Sequence, residues 1–205
     1  MNDFIQQFTQ QLIATSLFEW LAVVLAIAYL LLAIKESLWC WPAAFASTAI
    51  YMYLFFDASL YMESFLNFYY LIMAIYGFYQ WQDKHHISNY REIVKWPNRV
   101  HFIGMFICLI LVFISYILLE KYTDQDFAFL DSFTTWFAIF ATYLLTQKVL
   151  EHWLYWVVID IVSIYIFVEK GFALTSVLFL IYTVLAIKGW FNWKQSYYRG
   201  SSYAT

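Results

Sequence analysis

Seven apolar stretches, each about as long as a bilayer's hydrocarbon core is thick, take up most of this chain. They run approximately over Phe18–Ile34, Trp39–Phe56, Leu60–Trp81, Val100–Leu119, Ser132–Lys148, Trp153–Val168 and Phe172–Trp193. A helix needs roughly 20 such residues to cross the membrane. Helices also satisfy their own backbone polar groups in lipid, which open strands cannot do. Of the 205 residues, 64% are hydrophobic and 12% charged, about half the charged share of a soluble domain. Two prolines and five glycines leave little room for loops. The expected fold is therefore all-α and membrane-integral, with seven transmembrane helices.

The connections are very short except for Gln82–Arg99, which is polar and basic. Residues 1–17 carry Phe4, Ile5, Phe8, Leu12 and Ile13, a pattern that suits a short interfacial helix. Met1–Gln11 has no basic residue and Phe18–Ile34 no small-residue cleavage site, so a cleaved signal peptide is not expected. Cys40 and Cys108 lack CxxC spacing and read as small buried hydrophobes. The formal net charge of −3 says little about partners, because the distribution of charge across the membrane carries the information.

Seven spans put the termini on opposite sides. With the C-terminus inside, Lys35, Lys84, Arg91, Lys95, Arg99, Lys148, Lys188, Lys194 and Arg199 are cytoplasmic, and only Lys121 and Lys170 lie outside. That asymmetry predicts N-out, C-in. The acidic loop with Glu120, Asp124, Asp126 and Asp131 then faces outside. Trp39, Trp41, Trp81, Trp96, Trp153 and Trp193 crowd the span ends, as residues of an interfacial belt do.

The sequence also repeats itself. Tyr29-Leu-Leu followed by Trp39 matches Tyr143-Leu-Leu followed by Trp153 at a shift of 114 residues. Tyr53 and Phe55 match Tyr165 and Phe167 at 112, as do Ser64, Leu66, Tyr70, Ala74, Gly77 and Trp81 with Ser176, Leu178, Tyr182, Ala186, Gly189 and Trp193. The change of offset implies a two-residue deletion in the middle helix of the second half. Spans 1–3 and 5–7 read as two copies of one unit, and span 4 restores a common orientation. The result is a 3+1+3 parallel repeat, a design that places substrates near the midplane between the halves. The predicted division is 1–17, an N-terminal segment; 18–82, the first repeat; 83–131, loop, linker helix and outer loop; 132–193, the second repeat; and 194–205, a cytoplasmic tail.

Asp160 interrupts the sixth span at its centre, where a carboxylate costs at least ~2.5–3.5 kcal/mol to insert. Trp156 is one turn before it on the same helical face. An aromatic wall beside a carboxylate grips a flat cation by stacking, cation–π contact and charge. The structural alternative for Asp160 is a hydrogen bond to Ser or Tyr of a neighbouring helix. Asn67 and Tyr70 lie one turn apart in span 3, and Tyr182 is the repeat counterpart of Tyr70. These three are candidates to orient a ligand, or are interhelical ties worth ~0.6 kcal/mol each. Trp153 is a further candidate contact, against the belt role it would share with Trp41. Glu63 reads as an interfacial carboxylate, His85 and His86 as a solvated loop pair without further metal ligands, and Lys188 as a snorkelling side chain near the end of span 7.

Trp39-Cys-Trp-Pro42, Ile75-Tyr-Gly-Phe-Tyr-Gln-Trp81, Trp153-Leu-Tyr-Trp156-Val-Val-Ile-Asp160 and the run from Lys170-Gly-Phe-Ala-Leu-Thr175 to Gly189-Trp-Phe-Asn-Trp193 resemble the PnuC family of bacterial vitamin transporters over essentially the whole chain. The resemblance implies a SWEET-like 3+1+3 fold in the inner membrane, a homotrimer, and facilitated diffusion without ion coupling. It further implies trapping of the vitamin by a cytoplasmic kinase. Family substrates are nicotinamide riboside, thiamine in the PnuT branch, and riboflavin. The nicotinamide riboside branch is expected to carry Asn where this chain has Asp160, commonly Gln at Asn67, and often Asn at Ala74. These three departures favour thiamine, with nicotinamide riboside the alternative. Both are cations that a carboxylate attracts.

Other classes fit less well. A retinal protein needs a lysine midway along span 7, and Lys188 is too near its end. The chain has no HExxH, GxSxG, P-loop or dinucleotide motif and no second intramembrane carboxylate to pair with Asp160, so an enzyme is not expected. No cofactor, metal or nucleic acid is expected either. A proton-coupled carrier using Asp160 is opposed only by the family resemblance. The sequence reads as a vitamin facilitator lying in membrane lipid.

Overall fold

Where the helices stop decides how the two halves of this chain meet. The computed structural model describes residues 2–57, 61–82, 92–122 and 127–202. They form α1 (Asn2–Ala14), α2 (Leu17–Ile34), α3 (Cys40–Asp57), α4 (Tyr61–Trp81), α5 (Asn98–Tyr122), α6 (Ala128–Thr146), α7 (His152–Glu169) and α8 (Ala173–Ser202). Readings placed on Lys84, His85, His86, Arg91, Asp124 and Asp126 fall outside the described residues, as does the Glu63 side chain.

α2 starts at a capping box: Ser16 Oγ accepts from the Glu19 amide at 3.2 Å, and the Ser16 amide donates to Glu19 Oε2 at 2.6 Å. Both orphan donors are satisfied reciprocally. α2 and α6 stop in the same way. Glu36 (φ 56°) and Lys148 (φ 52°) take the left-handed conformation just past the helix ends. Ser37 N donates to Leu32 O and Glu36 N to Ala33 O, while Val149 N donates to Leu144 O and Lys148 N to Leu145 O. These are Schellman turns built without the usual glycine.

Five of the described helices, α2, α5, α6, α7 and α8, are long and apolar enough to cross a membrane. α3 and α4 are as long, with 18 and 21 residues, and carry hydroxyl and phenol groups of their own. These groups tie helices together: Ser47 Oγ donates to Ala22 O at 2.8 Å, and Tyr69 Oη to Ile139 O at 3.0 Å. α2, α3 and α4 pack in sequence, as do α6, α7 and α8. The halves touch where α4 lies on α6 and α2 on α8, while α3 and α7 do not meet. α5 packs mainly on α6 and touches α7 through His101, whose ring hydrogen-bonds to and stacks on Tyr155. α1 packs on α8, and its Gln11 side chain donates to Gly171 O and accepts from the Leu174 amide, bridging the α7–α8 turn.

Three expectations change. The cytoplasmic tail expected from residue 194 is helix through Ser202, so Lys188 sits roughly four turns before the end of α8 rather than one. Contacts with the preceding loop hold the extension: Lys95 Nζ lies 5.0 Å from the Tyr197 ring and 3.5 Å from Tyr198 Oη. Second, the hydrogen bonds and turns that match between the two halves lie 112 residues apart, including where the sequence suggested 114. Trp81 Nε1 donates to Leu145 O at 3.2 Å, and Trp193 Nε1 to Ala33 O at 2.9 Å. The counterpart of Trp153 is Trp41, which is buried like it; Trp39 is 73% exposed. The match at 114 arose from a Tyr-Leu-Leu coincidence in leucine-rich helices.

Third, four of the tryptophans assigned to an interfacial belt face inward. Trp41, Trp81, Trp193 and Trp153 form a chain of rings with successive centroids 5.2, 5.8 and 5.6 Å apart. Each is at most 2% exposed. Gly77 and Gly189 make this possible, since a Cβ on Gly77 would overlap the Trp41 ring and one on Gly189 would lie 2.6 Å from Trp153. Gly77→Ala and Gly189→Ala should each destabilise the protein by about 1–3 kcal/mol through overpacking. Thermal unfolding in detergent tests this, and wild-type melting in both variants would remove the glycines from the account.

Candidate functional site

Asp160 is the ninth of 18 residues in α7, the middle helix of the second half, and is 2% exposed. Among the described residues it makes no hydrogen bond and no ion pair. The structural alternative, a bond to Ser or Tyr of a neighbouring helix, is therefore not what holds it. A buried carboxylate without a partner is costly, which makes Asp160 the candidate around which a site is sought.

Tyr70 of α4 and Tyr182 of α8 both lie within electrostatic reach of that carboxylate. Residues from both halves thus converge on Asp160. Trp156, one turn earlier, is half-buried and packs against two separate cores. One is the tryptophan cluster; the other is built by Cys108, Val112, Phe137, Ala138, Ala141 and Ile159. The indole is held at the seam between them. Asn67 is half-buried on α4, one turn before Tyr70. Ala74, a further turn on, is 2% exposed and adds no polar group.

Trp153 stands apart from this group. It is seven residues before Asp160, roughly 10 Å along the helix axis. Its ring is packed against Trp193 and His152, with centroids 5.6 and 4.4 Å away. Its indole N–H is buried and has no acceptor among the described residues, and the same holds for Trp41. The structure assigns Trp153 to the ring cluster rather than to the carboxylate.

Two residues escaped sequence reasoning. Tyr51 of α3 lies within electrostatic reach of Tyr182, and Tyr29 of α2 within reach of Tyr70. The two phenols near Asp160, Tyr70 and Tyr182, thus have phenol neighbours on α2 and α3. Polar residues bunched in one apolar helix, such as Ser47, Thr48 and Tyr51 in α3, were the available signal.

Fold and site together define a multi-pass helical membrane protein that encloses a carboxylate between two three-helix groups. The family model described as "Nicotinamide mononucleotide transporter" matches residues 16–195, and the chain belongs to this family, the PnuC transporters. It is a family of transporters, not of enzymes. The chain is 25% identical over 204 residues to the nicotinamide riboside transporter PnuC of Escherichia coli (strain K12), covering 84% of this chain and 85% of that protein. The protein of the same name from Shigella flexneri matches equally. The fold matches the crystal structure of the vitamin B3 transporter PnuC with a TM-score of 0.74 over 96% of this chain and 90% of that one, at 18% identity.

A carboxylate buried without a partner among the described residues burdens the folded protein. Asp160→Asn should therefore melt no lower than wild type in ligand-free detergent solution, and a few degrees higher if about 1 kcal/mol of desolvation is relieved. A clear drop in melting temperature would mean that the carboxylate is structural.

Proposed function

We propose that this protein carries a small cationic vitamin with a flat ring across the bacterial inner membrane, and that the vitamin is nicotinamide riboside. The observation behind this reading is the buried Asp160 carboxylate, which has no hydrogen-bond or ion-pair partner among the described residues. A cationic ring supplies the missing charge, and the face of Trp156 supplies a stacking surface. The relatives carry nicotinamide riboside in their names, and that molecule fits the chemistry. The mononucleotide of the family description fits less well, since its phosphate brings negative charge beside the same carboxylate.

Thiamine is the second reading. The relatives' names give it no support. It rests on Asp160, Asn67 and Ala74, where the resemblance puts Asn, Gln and Asn in the nicotinamide riboside branch.

The mechanism we propose is alternating access between two three-helix groups, α2–α4 and α6–α8, joined by α5. Asp160 and Trp156 hold the ring, while Asn67, Tyr70 and Tyr182 orient it. The paired turns and indole bonds 112 residues apart support a 3+1+3 arrangement of seven spans. The nine-to-two split of basic residues supports N-out, C-in. Movement is downhill, without ion coupling, and a cytoplasmic kinase retains the product. The homotrimer implied by the resemblance has a surface available: α5 leaves Phe106, Ile110, Phe113 and Ile117 exposed along one face.

Calorimetric titration of the detergent-purified protein with nicotinamide riboside and with thiamine tests the substrate. Nicotinamide riboside should bind and thiamine should bind at least ~10-fold more weakly, a difference of about 1.4 kcal/mol. The reverse order replaces the first reading by the second. Asp160→Asn should weaken binding of the preferred cation by at least ~10-fold, and unchanged affinity would remove Asp160 from the site.

A further inference from the structure

Lys148 is 2% exposed, a burial that lysine almost never reaches unless paired. Its Nζ lies 3.3 Å from Glu36 Oε2 and 4.7 Å above the Trp81 ring. The Glu36 side chain is 27% exposed. Glu36 and Lys148 are themselves 112 residues apart and occupy the same left-handed position after α2 and after α6. Each is thus the counterpart of the other, and they meet across the seam between the halves. A contact between two residues that a pseudo-two-fold exchanges lies on the axis of that exchange. In a 3+1+3 carrier that axis is the path between the bundles.

The surroundings close the same end of the bundle. The indoles of Trp81 and Trp193 bond across to Leu145 O and Ala33 O, the carbonyls that also accept from the amides of Lys148 and Glu36. The loop before α5 adds a short parallel bridge, with Val94 N donating to Lys148 O at 3.0 Å and Leu150 N to Val94 O at 2.8 Å. Ile93 beside it is buried in the tryptophan cluster. Two non-glycine residues held in left-handed backbone persist only where the surroundings over-determine them.

We infer that the Glu36–Lys148 pair, seated on Trp81, is a latch that holds the cytoplasmic exit shut in this conformation. This rests on the transport reading above. Opening the exit moves the α2 end away from the α6 end, which separates the charges and breaks both indole bonds. The loop strand at Val94 travels with the α6 end, because it is bonded to Lys148 and Leu150.

The chain carries its own reporter. Cys40, at the start of α3, is fully buried in the cluster that contains Trp41, Trp81 and Leu145. In a Cys108→Ala background it is the only thiol. A small maleimide added to the detergent-purified protein reads how often this end opens, whichever side of the membrane it faces. Cys40 should label slowly in that background and about tenfold or more faster with Lys148→Met or Glu36→Gln added, with substrate affinity within about twofold of wild type. Unchanged labelling with retained binding overturns the latch. If both single variants melt early, the double Glu36→Gln/Lys148→Met, which removes both charges of the pair, carries the test. Fast labelling there with retained binding supports the latch; a wild-type rate, or early melting in all three, overturns it. A protein that binds neither cation refutes the transport reading, while the labelling contrast still decides whether the pair holds this end closed.

Discussion

Two indole N–H groups hold the halves of this protein together. Trp81 reaches a carbonyl at the end of α6, and Trp193 reaches one at the end of α2. Each of these carbonyls also accepts from the amide that closes its own turn, and the indole of the other half adds a second donor to it. The indoles can reach only because Trp41 and Trp153 fill the space beside them, and those rings fit only because Gly77 and Gly189 have no Cβ. Removing one member disturbs the others. The seam on which Tyr70, Trp156 and Asp160 converge is therefore set some distance from Asp160 itself.

The elements were legible in the sequence. Each expected span matches a helix to within a few residues at most ends, because hydrophobic length is a strong signal. The pattern of Trp156 and Asp160 was also legible, since a carboxylate in such a run has few explanations. The direction of the tryptophans was not. A Trp near the end of a span looks the same whether it meets lipid headgroups or lies over a glycine in the neighbouring helix. Only the pairing with Gly77 and Gly189 separates the two, and that pairing is a tertiary fact.

The register of the two halves shows a related limit. Leucine-rich helices supply chance matches, and Tyr-Leu-Leu was one of them. Hydrogen bonds do not repeat by chance in that way, which is why the turns at Glu36 and Lys148 settle the offset. Lys148 itself was counted in the sequence only as an inward charge. Nothing in its neighbours in sequence announces that it is buried over Trp81 and joined to a glutamate 112 positions away.

The isolation of Asp160 also bears on what the protein must refuse. A site lined by phenols and an indole offers a flat neutral ring nearly the same stacking as a charged one. What separates the two is the group left behind. A neutral analogue leaves the carboxylate dry and uncompensated when the site closes over it, and sites with a buried polar group left unpaired discriminate far more sharply than sites that only lose contact area. On the proposed function, an uncharged analogue of the substrate would be rejected without any residue that repels it.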